Sequence, residues 1–193
     1  MNASLQEVRA RNLRTVALLA ALFLLPLVAA FGMYYGADWR PAQRTNHGAL
    51  ILPVRELPRA SAAYGAKTFT HVWSLVYVGA GACDDACAGA LYEMRQTHLG
   101  LNTDMERVQR VFVATGDSPV RESLARENPG LVVIHAAERE GEELVRQFPA
   151  DDRAHAIFIV DPLGNLMMRC DTRADPKGLH EDLLKLLKLS NIG

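Results

Sequence analysis

Residues 69–89 read FTHVWSLVYVGAGACDDACAG, and the pattern changes abruptly at Gly79. The first ten positions are rich in aromatic and β-branched side chains, which suit a pleated, packed surface, so a strand is expected over Phe69–Val78. Glycines at 79 and 81 then open a turn. Beyond it Leu91, Met94, His98 and Leu101 recur at three- and four-residue steps, the period of a helix that runs to about Leu101. Cys83 and Cys87 fall where strand gives way to helix.

Working outward, a short strand is expected near Leu50–Val54, followed by a loop, PRASAAYGAKT. Downstream, VQRVFVAT (108–115) reads as a strand, GDSP as a turn, and Val120–Glu127 as a short helix broken by NPG at 128–130. LVVIHAA (131–137) is a further strand and EREGEELVRQF a further helix. Ala156–Val160 and Leu166–Cys170 flank DPLGN, whose proline and glycine suit a hairpin turn. The final stretch, DPKGLHEDLLKLLKLS, is an amphipathic helix with Leu179, Leu183, Leu186 and Leu187 on one side. Alternation of strands and helices implies right-handed crossovers and a sheet with parallel pairs, covered by helices on both faces. The closing hairpin and terminal helix make the expected class α/β, thioredoxin-like, a mixed sheet flanked by helices. That analogy concerns fold and not function.

Ahead of this domain, Thr15–Ala37 reads TVALLAALFLLPLVAAFGMYYGA, without a charge. At ~1.5 Å per residue it makes a helix of about 34 Å, enough for a hydrocarbon core of ~30 Å. Pro26 removes one backbone donor, which a membrane helix tolerates. Arg9, Arg11 and Arg14 precede the span, and Tyr34, Tyr35 and Trp39 form an aromatic belt at its far end. Basic residues stay cytoplasmic, so the body of the protein is expected across the membrane. The expected organisation is a cytoplasmic N-terminus over 1–14, one transmembrane helix over 15–37, a linker over 38–48 and an extracytoplasmic domain over 49–193. A signal peptide cleaved near Val28-Ala29-Ala30 is the alternative, although its apolar region is longer than the ~7–15 residues such peptides use.

Composition excludes several classes. Lys and Arg number 21 against 22 Asp and Glu, a formal net charge of −1, which argues against a basic nucleic-acid binder and an acidic tail. Three cysteines are too few for a disulfide-rich scaffold, so cysteine chemistry is expected to be local. Phosphate-binding loops, Ser/His/Asp arrangements and HExxH motifs do not occur, so hydrolase and nucleotide chemistry have no support.

A four-residue separation places Cys83 and Cys87 on one helix face with Cβ atoms ~5–6 Å apart. A disulfide needs ~3.5–4.5 Å, so a bond inside a regular helix is strained, whereas at a loop–helix junction Cys83 can swing inward. The same two sulfurs are placed to hold one soft metal ion, Cu(I) or Zn(II). The helix N-terminus favours thiolate, while Asp84 and Asp85 oppose it. Gly79, Gly81 and Gly89 are expected to leave the sulfurs uncrowded. A structural disulfide, or two buried free thiols, is the plainer reading.

The strand and junction SLVYVGAGACDDAC, the late segment AHAIFIVDPLGNLMMRC and the N-terminal span together resemble the Sco/SenC family of copper chaperones for cytochrome c oxidase assembly. The short bacterial Sco-like proteins are more similar still, through VDPLGNLMMR. The resemblance implies a thioredoxin-like domain tethered to the bacterial inner membrane and exposed to the periplasm. It implies copper, Cu(I) or Cu(II), held by Cys83 and Cys87, which also form the redox pair, and by a distant histidine. Two positions depart from the family pattern. Ala88 stands where proline is usual, and aligning Asp161-Pro162-Leu163-Gly164 with the family's turn puts Arg153 in the histidine column. His155, two residues later and on the same face of an extended segment, is the candidate third ligand. His47, His71, His98, His135 and His180 are weaker candidates.

Met167 and Met168 are adjacent and face opposite ways in a strand, so core filling accounts for them. Cys170 reads as a lone thiol, with a bridge to Cys83 as the alternative. The implied activity is copper delivery to the oxidase copper site or reduction of its cysteines, by a chaperone rather than an enzyme. The implied partners are the oxidase subunit carrying that site and other copper chaperones, with no nucleic acid. A non-catalytic Sco-like scaffold is one alternative. A general periplasmic thiol–disulfide oxidoreductase is another, although such proteins normally carry CxxC.

Overall fold

The computed structural model describes residues 2–36, 45–58, 69–136 and 139–190. The end of the expected span at Ala37, linker residues 38–44 with Trp39, the loop at 59–68, and Ala137 and Glu138 lie outside the described residues. The chain divides into two units, 1–44 and 45–193.

The described residues of the first unit form one helix, α1, Asn2–Gly36, with Pro26 inside it. The most apolar 18-residue run within Arg11–Gly36 has a mean hydropathy of 2.5, and the stretch is long and apolar enough to cross a membrane.

The described residues of the second unit include a six-stranded mixed sheet. Its strands are β1 (Ala49–Glu56), β2 (Trp73–Ala80), β3 (Val108–Thr115), β4 (Leu131–His135), β5 (Ala156–Val160) and β6 (Asn165–Asp171), in the order β1-β6-β5-β2-β3-β4. β2, β3 and β4 run parallel, while β5, β6 and β1 join antiparallel. Every residue from Trp73 to Val78 is buried, as a central strand covered on both faces must be. Leu75, Tyr77, Phe112, Ile157 and Ile159 face a cluster shared with α2 (Asp85–Gly100), α3 (Glu122–Glu127) and α5 (Pro176–Leu189). Val76, Val78, Val111, Phe158 and Val160 face Leu144 and Phe148, at and just beyond α4 (Arg139–Gln147). The expected α/β, thioredoxin-like order is thus present.

The differences are local. The expected strand over Phe69–Val78 begins only at Trp73. Thr70 bridges Leu163, the His71 N–H donates to the Pro162 carbonyl at 2.7 Å, and a φ of +70° at His71 ends the extended run. These residues pair with the β5–β6 turn instead of with the sheet. In that turn Asp161 Oδ1 accepts the N–H groups of Leu163 and Asn165, and Gly164 takes a φ of +90°. A bulge interrupts the alternation of β6: Ile159 pairs with Met168 but Val160 with Leu166. Leu166 therefore faces one core and Met168 the other, and both Met167 and Met168 pack against the core holding the cysteines.

Residues 45–48, grouped with the linker above, are held by α5. Buried Asp182 Oδ2 accepts the N–H groups of His47 and Gly48 at 2.7 and 2.8 Å, and Lys185 Nζ donates to the Thr45 carbonyl at 2.6 Å. Gly178 makes room for this segment, since a Cβ there would lie 2.8 Å from His47 Cβ.

Candidate functional site

β2 delivers the chain to the N-terminus of α2 through a turn in which the Cys83 N–H donates to the Ala80 carbonyl at 3.0 Å. Cys83 has a φ of +50°, outside the helical region, and Asp84 is the N-cap: its Oδ1 accepts the Cys87 N–H at 2.9 Å. The left-handed residue folds Cys83 back toward the first turn of α2. Its Cα lies 5.1 Å from that of Cys87, and the two sulfurs form a disulfide. The inward swing expected at a loop–helix junction is the observed geometry. The alternative bridge to Cys170 does not form.

Access differs from expectation. Cys83 is 6% exposed and Cys87 2%, both within the core beneath α2. The glycines serve close packing rather than open space: a Cβ at Gly81 would lie 2.2 Å from the Ser118 carbonyl oxygen, and one at Gly79 2.7 Å from the Tyr77 ring. Only the third of these glycines, Gly89, has nothing within 4 Å. The loop after β3 closes against the cysteine turn because Gly81 has no side chain. Ala82, Asp84, Asp85 and Ala88 around the pair are exposed, so the disulfide sits just under the surface.

His155 ends a 3-10 turn, Arg153–His155, that leads into β5 and packs against α2 and β2. Its N–H donates to the Asp152 carbonyl and its carbonyl accepts the Thr172 N–H. The imidazole is half-buried and has no hydrogen-bond or ion-pair partner among the described residues. The expected three-donor set is not assembled. Among the described residues no three His, Cys, Asp or Glu side chains are grouped to hold a metal ion, and the two sulfurs are bonded to each other. Arg153, the residue in the family's histidine column, points elsewhere: its guanidinium donates to the carbonyls of Pro149, Val145 and Phe148, capping the end of α4.

Sequence reasoning missed Tyr77. This buried side chain donates from its hydroxyl to the Ala154 carbonyl at 3.1 Å. Burial and then the nearby Asp84 carboxylate push its pKa up to about 12, so the phenol stays protonated. Its place beside two cysteines on an inward-facing strand position was the available signal. The Asp84 cap was also available, as an aspartate three residues before Cys87.

Two of the other histidines have partners of their own. His98 Nε2 approaches the carbonyls of Met105 and Val108, and His47 is held by Asp182. Cys170 is a free, buried thiol whose pKa is pushed up to about 12, by burial first and then by Asp182 and Glu93.

Residues 73–190 match the family model described as transmembrane-like, thioredoxin-like, C-terminal domain. No curated protein sequence matches the chain. Apo Sco1 of Thermus thermophilus shares the fold, with a TM-score of 0.59 at 20% identity, covering 76% of this chain and 99% of that one. Yeast Sco1 with copper bound gives 0.54 at 18% identity over 62% and 80% of the two chains. Arabidopsis thaliana ScoI with copper bound gives 0.51 at 16% identity over 63% and 88%. At these identities the likeness establishes the fold.

Proposed function

Because the chain belongs to the transmembrane-like, thioredoxin-like C-terminal domain family, we propose that it is a membrane-anchored, copper-binding thiol factor for cytochrome c oxidase assembly. The observation that carries this reading is the Cys83–Cys87 pair at the junction of β2 and α2, in a fold shared with yeast Sco1 that has copper bound. The donor set suits a soft cargo. Once reduced, Cys83 and Cys87 supply thiolates and His155 an imidazole, ligands that favour Cu(I) over hard cations.

In the delivery mode the reduced pair holds Cu(I), and thiolates of the oxidase copper site take it by stepwise ligand exchange. In the reducing mode the Cys83 thiolate attacks one sulfur of a partner disulfide, releasing the other as thiolate and forming a mixed disulfide. The Cys87 thiolate then displaces the remaining partner sulfur and closes the Cys83–Cys87 bond. Two electrons pass to the partner, and an external dithiol must reduce the pair before another cycle. Cys83 takes the attacking role because it is the more exposed of the two.

The anchor is α1, a single pass through a bacterial inner membrane, with residues 45–193 in the periplasm. Arg9, Arg11 and Arg14 on the other side support that orientation. The partners are the oxidase subunit carrying the copper site and the chaperones that pass copper along. A second reading, a non-catalytic Sco-like scaffold with a structural disulfide, is favoured by the burial of both cysteines.

Oxidase copper content in cells separates the two readings. In a strain lacking the native protein, the full chain carrying Cys83→Ser and Cys87→Ser should leave the oxidase as copper-poor as the deletion does. Full restoration by that variant would favour the scaffold.

A further inference from the structure

The turn that carries Cys83 is fastened to the end of β3. The Gly81 N–H donates to the Thr115 carbonyl at 3.2 Å. The chain then comes back against the same glycine at Ser118, whose carbonyl oxygen would lie 2.2 Å from a Cβ there. Val120 packs against the core that holds both sulfurs. One loop thus closes on the turn, two residues before Cys83.

That closure is made by packing. Gly116–Pro119 are exposed, and none of them makes a hydrogen bond or ion pair among the described residues. Gly116 takes a φ of +76° with nothing within 4 Å of its Cβ position, which suits a hinge. Gly116 and Asp117 also line a groove of about 330 Å³ with Glu142, Val145 and Arg146 of α4, in which neither Gly81 nor the cysteines take part. The loop has space to move into on that side.

We infer that Gly116–Val120 is a lid on the Cys83–Cys87 disulfide. Closed, it keeps both sulfurs beneath the surface; swung toward α4, it opens the path by which a thiolate reaches Cys83. The inference takes from the proposed function only that the disulfide must be reduced, and it holds whether or not the reduced pair takes copper.

Reduction kinetics on the full chain in detergent test it, with dithiothreitol as the probe. Its thiolate attacks one sulfur of the disulfide and releases the other; its second thiol then closes the dithiothreitol ring and frees the remaining cysteine, so that two electrons pass to the protein. The reaction is stopped with iodoacetamide and read by mass. Gly81→Ala drives a Cβ against the Ser118 carbonyl and should speed reduction about tenfold or more. Val120→Ala removes the apolar anchor of the lid and should act in the same direction. Gly89→Ala is the control, because Gly89 follows Cys87 by two residues but has open space around it. Its rate should stay within about twofold of wild type. All rates should be flat in urea well below the unfolding midpoint, since lid opening exposes little surface. A Gly81→Ala rate equal to wild type, an equal gain in Gly89→Ala, or rates that climb with urea as global unfolding does would overturn the inference. Should Gly81→Ala fail to fold by circular dichroism, Val120→Ala carries the test by the same criteria.

Discussion

Asp84 Oδ1 accepts the backbone N–H of Cys87 at 2.9 Å, so the residue that follows one cysteine is the N-cap of the helix carrying the other. Cap and sulfur chemistry are therefore coupled. The carboxylate that satisfies an orphan donor of α2 also places negative charge beside both sulfurs once they are reduced. Asp84→Asn keeps a capping oxygen and removes the charge. Stability to denaturant should change by a few tenths of a kcal/mol at most, whereas Asp84→Ala should cost about 1 kcal/mol. In the reduced protein Asp84→Asn should speed alkylation of the two thiols at neutral pH, because a neighbouring negative charge that opposes thiolate is removed.

Asp182 anchors residues 45–48 to α5 through two backbone N–H groups. Asp182→Ala strands both donors, one of them on buried Gly48, at a cost of about 3 kcal/mol. Chemical denaturation should report that loss, and hydrogen exchange should show the amides of His47 and Gly48 losing protection while β2 and β3 keep theirs.

Cys170 binds its proton more tightly in the folded chain than in the unfolded one, with a pKa moved from 9 up to about 12. Its contribution to stability is full below pH 9 and declines as pH rises through 12. Tyr77 acts in the same sense between 10 and about 12. Denaturation midpoints should fall above pH 9, and Cys170→Ala should flatten the fall between 9 and 10. The thiol should also resist Ellman's reagent until the chain unfolds.

Glu93 is raised to about 7, by burial first and then by Asp171. A carboxyl raised on folding stabilises fully below its unfolded value of 4.5 and loses that contribution as pH rises through 7. Glu93→Gln keeps the shape without the ionisation. Relative to wild type it should gain stability at pH 8 compared with pH 5, a difference that paired urea titrations would measure.

The strands and helices were legible where periodicity is local: FTHVWSLVYV, AIFIV and the leucines of α5 carry their own burial pattern. What escaped depends on distant partners. The bulge at Met167 arises from register against β5, which no single strand encodes. The start of β2 at Trp73, rather than at Phe69, follows from pairing with a turn some ninety residues away. The burial of Cys83 and Cys87 depends on the loop after β3 closing on Gly81, and that glycine read equally well as open space. The change from strand to helix pattern at the cysteines pointed to a loop–helix junction, and the disulfide lies there. The role of Arg153 was hidden because its partners are carbonyls at and beyond the end of α4, which carry no side-chain signature.

The central claim is that Cys83 and Cys87, once reduced, jointly hold one soft metal ion. Anaerobic titration of the reduced full chain with Cu(I), against a chelator of known affinity, measures this directly. The account predicts one Cu(I) bound per chain, with binding lost in Cys83→Ala/Cys87→Ala. The same affinity in wild type and that variant would contradict it.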